Sequence, residues 1–528
     1  MVGVTMFACI FAFLLHHIPH HIERQVLCLP KYSFKGGVHP LHSQHEGKLP
    51  TRNAPIRDFV SDSVVIPMSM HLGAPSKPCV SKGDHVKIGQ LIGEPVGGLG
   101  LPVHASISGE VTAVEPRLIT GAGPVMCVCI QNDFADEWVD GIQGYGNVET
   151  VDPALIVPAI KAAGICGMGG ASFPAHVKLT LPEGKTCDTI ILNGAECETF
   201  LTADYRLMIE EPRRVVDGLR AEMRALGVKR GVIAIEDNKM EAIESMRKAA
   251  AGREGVEIAV LRTKYPQGGE KQLIHAVTGR QVPSGKLPIE VHTIVTNVAT
   301  AAAIADAVID GKPLISRITT VTGKLVNPSN LRVRIGTVVA DMIGECGGYS
   351  EEAAKIVMGG GMTGVCTASA DIPIAKANGG IVVYNEKDAK SVDEEPCIRC
   401  ARCVQACPMG LDPYKLKHLC DAGNLEGAKA NHVMDCILCG CCSYACPSRR
   451  WLTAAFKNTK DAIAAAARRK YDEPLYVYRA ACAQPAEHPL PDGRCSDSPG
   501  AHHHRRHILF RCKRGNSSGA CYGLRHTV

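Results

Sequence analysis

The chain is predicted to be a multidomain protein mixing α/β and α+β modules, on three observations. Residues 64–115 read as short β segments broken by Gly, Pro, Asp and Ser. Residues from 151 to about 310 alternate strand and helix. Residues 397–447 hold two cysteine runs of identical spacing. A chain of 528 residues has room for three or four domains. Its 45% hydrophobic and 21% charged residues are ordinary for globular protein.

The segment 1–15 is apolar but shorter than the roughly 20 residues that span a bilayer. It lacks the positive n-region and small-residue cleavage site of a signal peptide. Residues 1–31 are therefore expected to be a leader, disordered or part of an over-extended start, with a membrane-surface anchor as the alternative. In 32–150, VVIPMSMHLG, SKGDHVKIGQLIGE and LPVHASISGEVTAVE alternate β-branched residues with turn formers. KGDHVKIGQLIGE and HASISGEV are similar to the two halves of a barrel-sandwich hybrid, the lipoyl-domain type of fold. The second half carries no lysine in its turn at 105–109, so a structural module is expected rather than a swinging arm.

In 151–312, candidate strands at 189–192, 231–235, 256–261 and 291–296 alternate with helices such as 208–226 and 238–251. That order predicts an α/β domain with a mainly parallel sheet. In 313–390, ITTVTGKLVNPSNLRVRIGTVVADMIGECGG reads as a hairpin broken at Asn327-Pro328-Ser329-Asn330, followed by an amphipathic helix. This is a β-grasp (SLBB-like) module, with short strands around Gly359-Gly360-Gly361 after it. Residues 391–450 form the cysteine-rich module, its two runs linked by a helical stretch at 413–432. A helical stretch and then a basic tail complete 451–528. The tail has no periodicity, and His502–His504, Cys495, Cys512 and Cys521 share no fixed zinc spacing, so disorder is expected there. The net charge of +5 is misleading: 501–528 hold six Lys/Arg and no acid, which leaves the rest at −1. No nucleic-acid partner is implied.

CIRCARCVQACP and CILCGCCSYACP both spell C-x2-C-x2-C-x3-C-P, the bacterial ferredoxin spacing for cubane [4Fe–4S] clusters. Three thiolates on one tight loop reach different irons of one cube, while the fourth, turned away before proline, reaches the other cube. Cys397, Cys400, Cys403 and Cys446 are thus expected to hold one cluster, and Cys436, Cys439, Cys442 and Cys407 the other. Zinc sites and disulfides are the alternatives, but zinc ribbons use paired cysteines and not a 2-2-3 run. Of 24 cysteines these claim eight; most others, such as Cys166 and Cys366, stand singly. Cluster ligands must stay reduced, which favours the cytosol. Such a chain moves electrons one at a time.

Gly167-Met168-Gly169-Gly170-Ala171-Ser172-Phe173-Pro174, trailed by Lys178, is the second chemical signal. Bare backbone N–H groups can approach a phosphate, and the lysine adds a point charge. It is not the G-x-G-x-x-G dinucleotide turn. GMGGASFPAHVKL, LNGAECE, YPQGGEKQL and TNVAT, in that order, resemble the FMN and NADH site of the flavoprotein subunit of respiratory complex I. The resemblance implies that Gly167, Gly169 and Lys178 hold FMN, and that Asn193, Glu196 and Glu198 sit by its ring. It places Tyr265, Gly268, Gly269 and Glu270 where FMN and nicotinamide meet, and Asn297 and Thr300 at the FMN phosphate. Met168 stands where that family has arginine, and PQGGE where it has ICGEE. Glu196 and Glu198 can also be read as solvated carboxylates or helix caps. No catalytic acid, base or nucleophile is singled out.

The module order, with FKGGVHP (34–40), NGAECE and LTADYRLM (201–208), is most similar to the RnfC component of the Rnf electron transport complex over about 32–449. Thr199-Phe200 depart from its usual Pro-Tyr. The resemblance implies a component of an ion-coupled ferredoxin:NAD+ oxidoreductase, with FMN, two [4Fe–4S] clusters and NAD(H) as substrate. It would sit peripherally on the cytoplasmic side of the cell membrane, held by membrane subunits, with ferredoxin reached through another subunit. Two other readings stay open: a soluble flavin/iron–sulfur NADH reductase such as a cobalamin reductase, and a non-catalytic iron–sulfur relay.

Overall fold

The computed structural model describes residues 32–40, 46–121, 123–390 and 392–472. The leader 1–31 and the tail with Cys495, His502–His504, Cys512 and Cys521 lie outside the described residues. The chain divides after Asp461 into two compact units. The first holds all four modules; of the second, only the end of one helix is described.

Residues 32–62 precede the barrel as a strap. Tyr32 bridges Leu261 and Val38 pairs with Tyr265, both in the α/β domain. A single-turn helix Leu49–Arg52 follows, and β1 (Ile56–Phe59) joins the β-grasp sheet. The barrel proper uses β2 (Ser63–Pro67), β3 (Lys77–Pro78), β4 (His85–Val86), β5 (Leu91–Glu94), β6 (Val103–His104), β7 (Gly109–Arg117) and β8 (Val125–Asn132). They form two sheets, β2-β8-β7-β4 and β3-β5-β6, closed on a core that includes Val64, Ile66, Ile92, Val103, Val111 and Ile130. Gly109 has φ +142, and a Cβ there would lie 1.9 Å from the Gln131 carbonyl oxygen, so only glycine fits.

The α/β domain runs α1 (Pro153–Ala162), β9 (Thr189–Asn193), α2 (Ala203–Glu210), α3 (Pro212–Leu226), β10 (Arg230–Glu236), α4 (Met240–Ala250), β11 (Val256–Leu261), α5 (Glu270–Thr278), β12 (Thr293–Asn297) and α6 (Val298–Ala305). The sheet order is β11-β10-β9-β12, and all pairs are parallel. The helix expected over 208–226 is instead two helices. Pro212 opens α3 and disfavours helical backbone at the residue before it, and Glu211 sits at φ −129, ψ 46.

The β-grasp module contributes β13 (Ser316–Gly323), β14 (Ser329–Arg334), α7 (Val339–Glu345), β15 (Lys355–Met358), β16 (Val365–Cys366) and β17 (Gly380–Tyr384). The turn expected at 327–330 is shorter, since Ser329 and Asn330 already belong to β14. With β1 the sheet has six strands in the order β1-β14-β13-β17-β15-β16. The cysteine module has no strand among its described residues. It is built from α8 (Arg402–Ala406), α9 (Pro413–Asp421), α10 (Leu425–Ala430), α11 (Cys441–Tyr444) and α12 (Leu452–Asp472). Among the described residues, no helix is long and apolar enough to cross a membrane.

Candidate functional site: a sheet crevice and two cysteine groups

The parallel sheet fixes where a ligand can sit. Chain connections leave β9 toward β10 and β11 on one side, while β12 lies on the other side of β9. A crevice opens at the carboxyl ends of such a pair. Asn193 and Asn297 end β9 and β12 opposite each other. Asn193 Nδ2 donates to the Gly268 carbonyl at 2.8 Å, drawing the loop after β11 into the crevice. Asn297 caps α6: its Oδ1 accepts from the Ala299 amide at 2.9 Å, and its Nδ2 donates to Asp204 at 2.7 Å. The helix N-terminus beneath it favours negative charge.

The glycine-rich loop lies over this point. The Met168 amide donates to Thr300 Oγ1 at 2.9 Å, and Gly167 N to the Phe173 carbonyl at 2.8 Å. A Cβ on Gly169 would stand 3.2 Å from Asn297 Cβ, so the bare backbone passes directly over the end of β12. The Met168 side chain is buried in the core with Ile165, Ala175 and Leu179. Lys178 Nζ donates to Glu270 Oε1 at 2.9 Å and to the Val295 carbonyl at 2.6 Å. Gly268 is crowded too: a Cβ there would meet the Asn193 amide at 3.2 Å and Cys197 Sγ at 3.3 Å. At Gly269 a Cβ would approach Gln272 Oε1 to 2.6 Å. Of the twelve residues expected at the cofactor site, Asn193 and Asn297 end neighbouring strands, and the segments that carry Gly169, Gly268, Thr300 and Glu196 bond to or pack against them or their partners. A cavity of about 510 Å³ beside α5, lined by Gln272, His275, Pro408 and Leu411 among others, includes none of them.

The two glutamates differ. Glu196 caps α2, accepting from the Asp204 amide at 2.7 Å and the Tyr205 amide at 3.1 Å. Burial raises its carboxyl, with Asp204 adding to the effect and Lys48 opposing it. Glu198 is not a solvated carboxylate. It accepts from the Met362 amide at 3.1 Å and from the Thr363 hydroxyl, and the Tyr265 hydroxyl stands 3.5 Å away. Burial raises Glu198 as well.

Sequence reasoning missed Lys48. Its buried ammonium donates to the carbonyls of Glu196, Glu198 and Leu201 at 2.8, 2.7 and 2.8 Å, fixing the whole acidic loop. Nothing in GKLP marks it; its role exists only through a contact about 150 residues away. Asp204 was within reach, inside LTADYRLM, and its role appears only in the bond from Asn297.

Among the described residues no three cysteines, histidines or carboxylates are placed together as a metal-binding group, yet neighbouring thiols cross the two runs. Burial raises the Cys403 thiol, with Cys446 and Cys397 as charged neighbours. Burial likewise raises Cys407, whose neighbour is Cys439 of the other run. It pushes Cys436 up to about 11, beside Cys439 and Cys407, and Cys442 up to about 12, beside Cys436, Cys439 and Cys407. Thiolates that act on one another in this way repel unless a cationic centre offsets them, a donor chemistry that an iron cluster would satisfy. Backbone amides already face the sulfurs: Leu411 N donates to Cys407 Sγ at 3.4 Å and Leu438 N to Cys436 Sγ at 3.4 Å. Left-handed backbone at Ala401 and Gly440 opens α8 and α11 and curls each loop toward its thiols. Cys400 lies on the exposed loop between Cys397 and Cys403.

Comparison with known proteins agrees module by module. Residues 32–135 match the RnfC barrel sandwich hybrid domain, 160–306 the Nuo51 FMN-binding domain, 318–365 the SLBB domain and 389–447 the 4Fe-4S dicluster domain. The chain is 44% identical over 439 residues to the C component of the Na(+)-translocating ferredoxin:NAD(+) oxidoreductase complex of Acetobacterium woodii, covering 83% of this chain and 98% of that one. It is 46% identical to the proton-translocating counterpart of Clostridium ljungdahlii, covering 76% of this chain and 87% of that one. Identity to the C component of the ion-translocating oxidoreductase complex of Rhodobacter capsulatus is 40%, covering 76% of this chain and 77% of that one. The chain belongs to the RnfC family, the C components of ion-translocating ferredoxin:NAD(+) oxidoreductase complexes.

Proposed function

We propose that this protein passes electrons between NAD(H), FMN and two [4Fe–4S] clusters within a membrane-bound complex that couples the transfer to ion translocation. One observation carries the reading. Tyr265 of the crevice packs in one buried group with Ala406 and Cys441, flanked by Cys197, Met362 and Cys439. Flavin-site and cysteine loops thus share a dry wall.

In this reading Gly167, Gly169, Lys178, Asn297 and Thr300 take the FMN phosphate end, using bare backbone, a capped helix N-terminus and one ammonium. Asn193, Glu196 and Glu198 border the ring, and Tyr265, Gly268, Gly269 and Glu270 border the nicotinamide. Cys397, Cys400, Cys403 and Cys446 hold one cluster; Cys436, Cys439, Cys442 and Cys407 hold the other. Bound FMN supplies the exchange between a two-electron hydride and single electrons. The residues around it exclude water, fix the acidic loop through Lys48 and keep the ring edge close to the cysteine wall.

As a component of such a complex the protein would sit peripherally on the cytoplasmic face, held by membrane subunits; among the described residues no helix is long and apolar enough to cross a bilayer. Ferredoxin would be reached through another subunit. Anaerobically purified protein tests the cofactor assignment: about eight irons, two cubanes' worth, and one FMN per chain are expected. Four irons, or no FMN, would contradict it.

A further inference from the structure

A network of charged side chains lies behind the acidic loop, and the function proposed above leaves most of it unused. Lys48, Lys239, Glu236 and Arg317 are buried, while Glu46, Glu196 and Asp204 are half-buried. Lys239 Nζ donates to Glu236 Oε2 and to Asn238 Oδ1, both at 3.0 Å. Asn238 Nδ2 in turn donates to Glu46 Oε2, on the strap, at 3.3 Å. Glu196 faces Lys48, Asp204 and Lys239. Both lysines also feel the charges of Glu236 and Glu46. Beyond Asp204 stand Asn297, which donates to it at 2.7 Å, and the guanidinium of Arg317.

In this network the carboxyls outnumber the cations. Glu46, Glu196, Glu198, Asp204 and Glu236 face only Lys48, Lys239 and Arg317. A carboxyl short of a cation in low dielectric takes up a proton more readily, and two that adjoin do not both ionise freely. Glu196 and Asp204 adjoin: the Asp204 amide donates to Glu196 Oε1 at 2.7 Å. Burial pushes Glu196 up to about 7, against the pull of Lys48 and with Asp204 adding to the rise. Asp204 is raised by burial too. The other acids of the crevice are engaged elsewhere, Glu198 by the Met362 amide and the Thr363 hydroxyl, and Glu270 by Lys178. Tyr265 and Cys197 keep their own protons near neutrality, because burial raises both.

Resting on the function proposed above, we infer that Glu196, sharing its proton with Asp204, is the proton acceptor of the flavin site, and that Glu46 is the outlet to solvent. Oxidation of one NADH to NAD+ gives up a hydride, which is two electrons and one proton. The electrons leave singly to the clusters, and the proton has to leave by another way. An acceptor beside the ring has to be ionised before the proton arrives and neutral after it. A carboxyl in a network short of cations can be either. The proton then moves outward past Lys48 and Lys239 to Glu46, which restores the Glu196 carboxylate. Reduction of NAD+ draws a proton inward along the same groups.

The test uses the full chain loaded with FMN and iron, without oxygen. When dithionite reduces the flavin at pH 7, a carboxylic-acid band should change in the infrared difference spectrum, and Glu196→Gln should lack that change. After rapid mixing with NADH, cluster reduction should slow as pH falls from 8 to 6, because the acceptor is then already protonated. Glu196→Gln should slow cluster reduction about a hundredfold and abolish this pH dependence. Glu46→Gln should keep the pH dependence and delay the appearance of the proton, read by an indicator dye in weak buffer. A pH dependence that persists in Glu196→Gln overturns the acceptor, and an undelayed dye response in Glu46→Gln overturns the outlet. Should Glu196→Gln lose FMN, the unmodified protein decides: no carboxylic-acid change on flavin reduction overturns the acceptor. If NADH bleaches neither flavin nor clusters, the proposed function fails, and the dithionite-driven infrared test still decides the acceptor.

Discussion

Lys178 and Glu270 meet at 2.9 Å across the mouth of the crevice, joining the turn after the glycine-rich loop to the first residue of α5. The two side chains are 31% and 42% exposed, so their ion pair adds little to stability. Its use is positional: together with the bond to the Val295 carbonyl it fixes the ammonium against β12, two residues before the Asn297 cap of α6.

Lys178→Ala is therefore expected to weaken FMN binding by about tenfold or more, the worth of one charge-assisted hydrogen bond, with thermal stability nearly unchanged. Gly169→Val should weaken it further, because its Cβ would already lie 3.2 Å from Asn297 Cβ. Iron content should be normal in both. Flavin release measured by fluorescence checks this; full FMN retention by both variants would locate the phosphate elsewhere.

Lys48→Met leaves three buried carbonyls without their donor. The expected loss is about 3 kcal/mol of stability, together with loss of FMN, since the acidic loop is no longer fixed. Chemical denaturation of the two proteins measures it. An unchanged midpoint would mean that the loop holds its shape without the lysine.

Glu222 is fully buried against Thr296, its oxygens 2.8 and 3.1 Å from the hydroxyl, and burial pushes its carboxyl up to about 8. An acid raised on folding binds its proton more tightly in the native state, so stability falls as pH rises from about 4.5 to about 8. Glu222→Gln should match the parent protein near pH 4 and exceed it by about 2–4 kcal/mol at pH 9. Equal stability at both pH values would show that the native carboxyl titrates normally.

Much of this organisation is legible in the sequence because it is carried by local pattern. The cysteine runs state their own spacing, and the strand–helix alternation gives the parallel sheet. What escaped detection depends on contacts distant in sequence. β1 looks like part of the barrel segment until it pairs with β14, about 270 residues later. Lys48 acquires its role only when the loop after β9 folds onto it. Pro212 was readable as a break within 208–226, but the apolar periodicity runs through it and outweighed the proline.

The proposed crossed assignment of the cysteines predicts a pairing that sequence distance would not. Cys397→Ala and Cys446→Ala should abolish the same cluster signal in electron paramagnetic spectra, and Cys407→Ala should instead share its loss with Cys436→Ala. Loss of different signals by Cys397→Ala and Cys446→Ala would mean that each run holds its own cube.

In the proposed function one chain links nicotinamide chemistry to two single-electron centres. Anaerobic addition of NADH to FMN- and iron-loaded protein tests it most directly, with absorbance followed in the flavin and iron–sulfur bands. Bleaching of both bands is predicted, with a paramagnetic cluster signal appearing on the same sample. Bleaching by dithionite alone, with NADH leaving flavin and clusters oxidised, would contradict it.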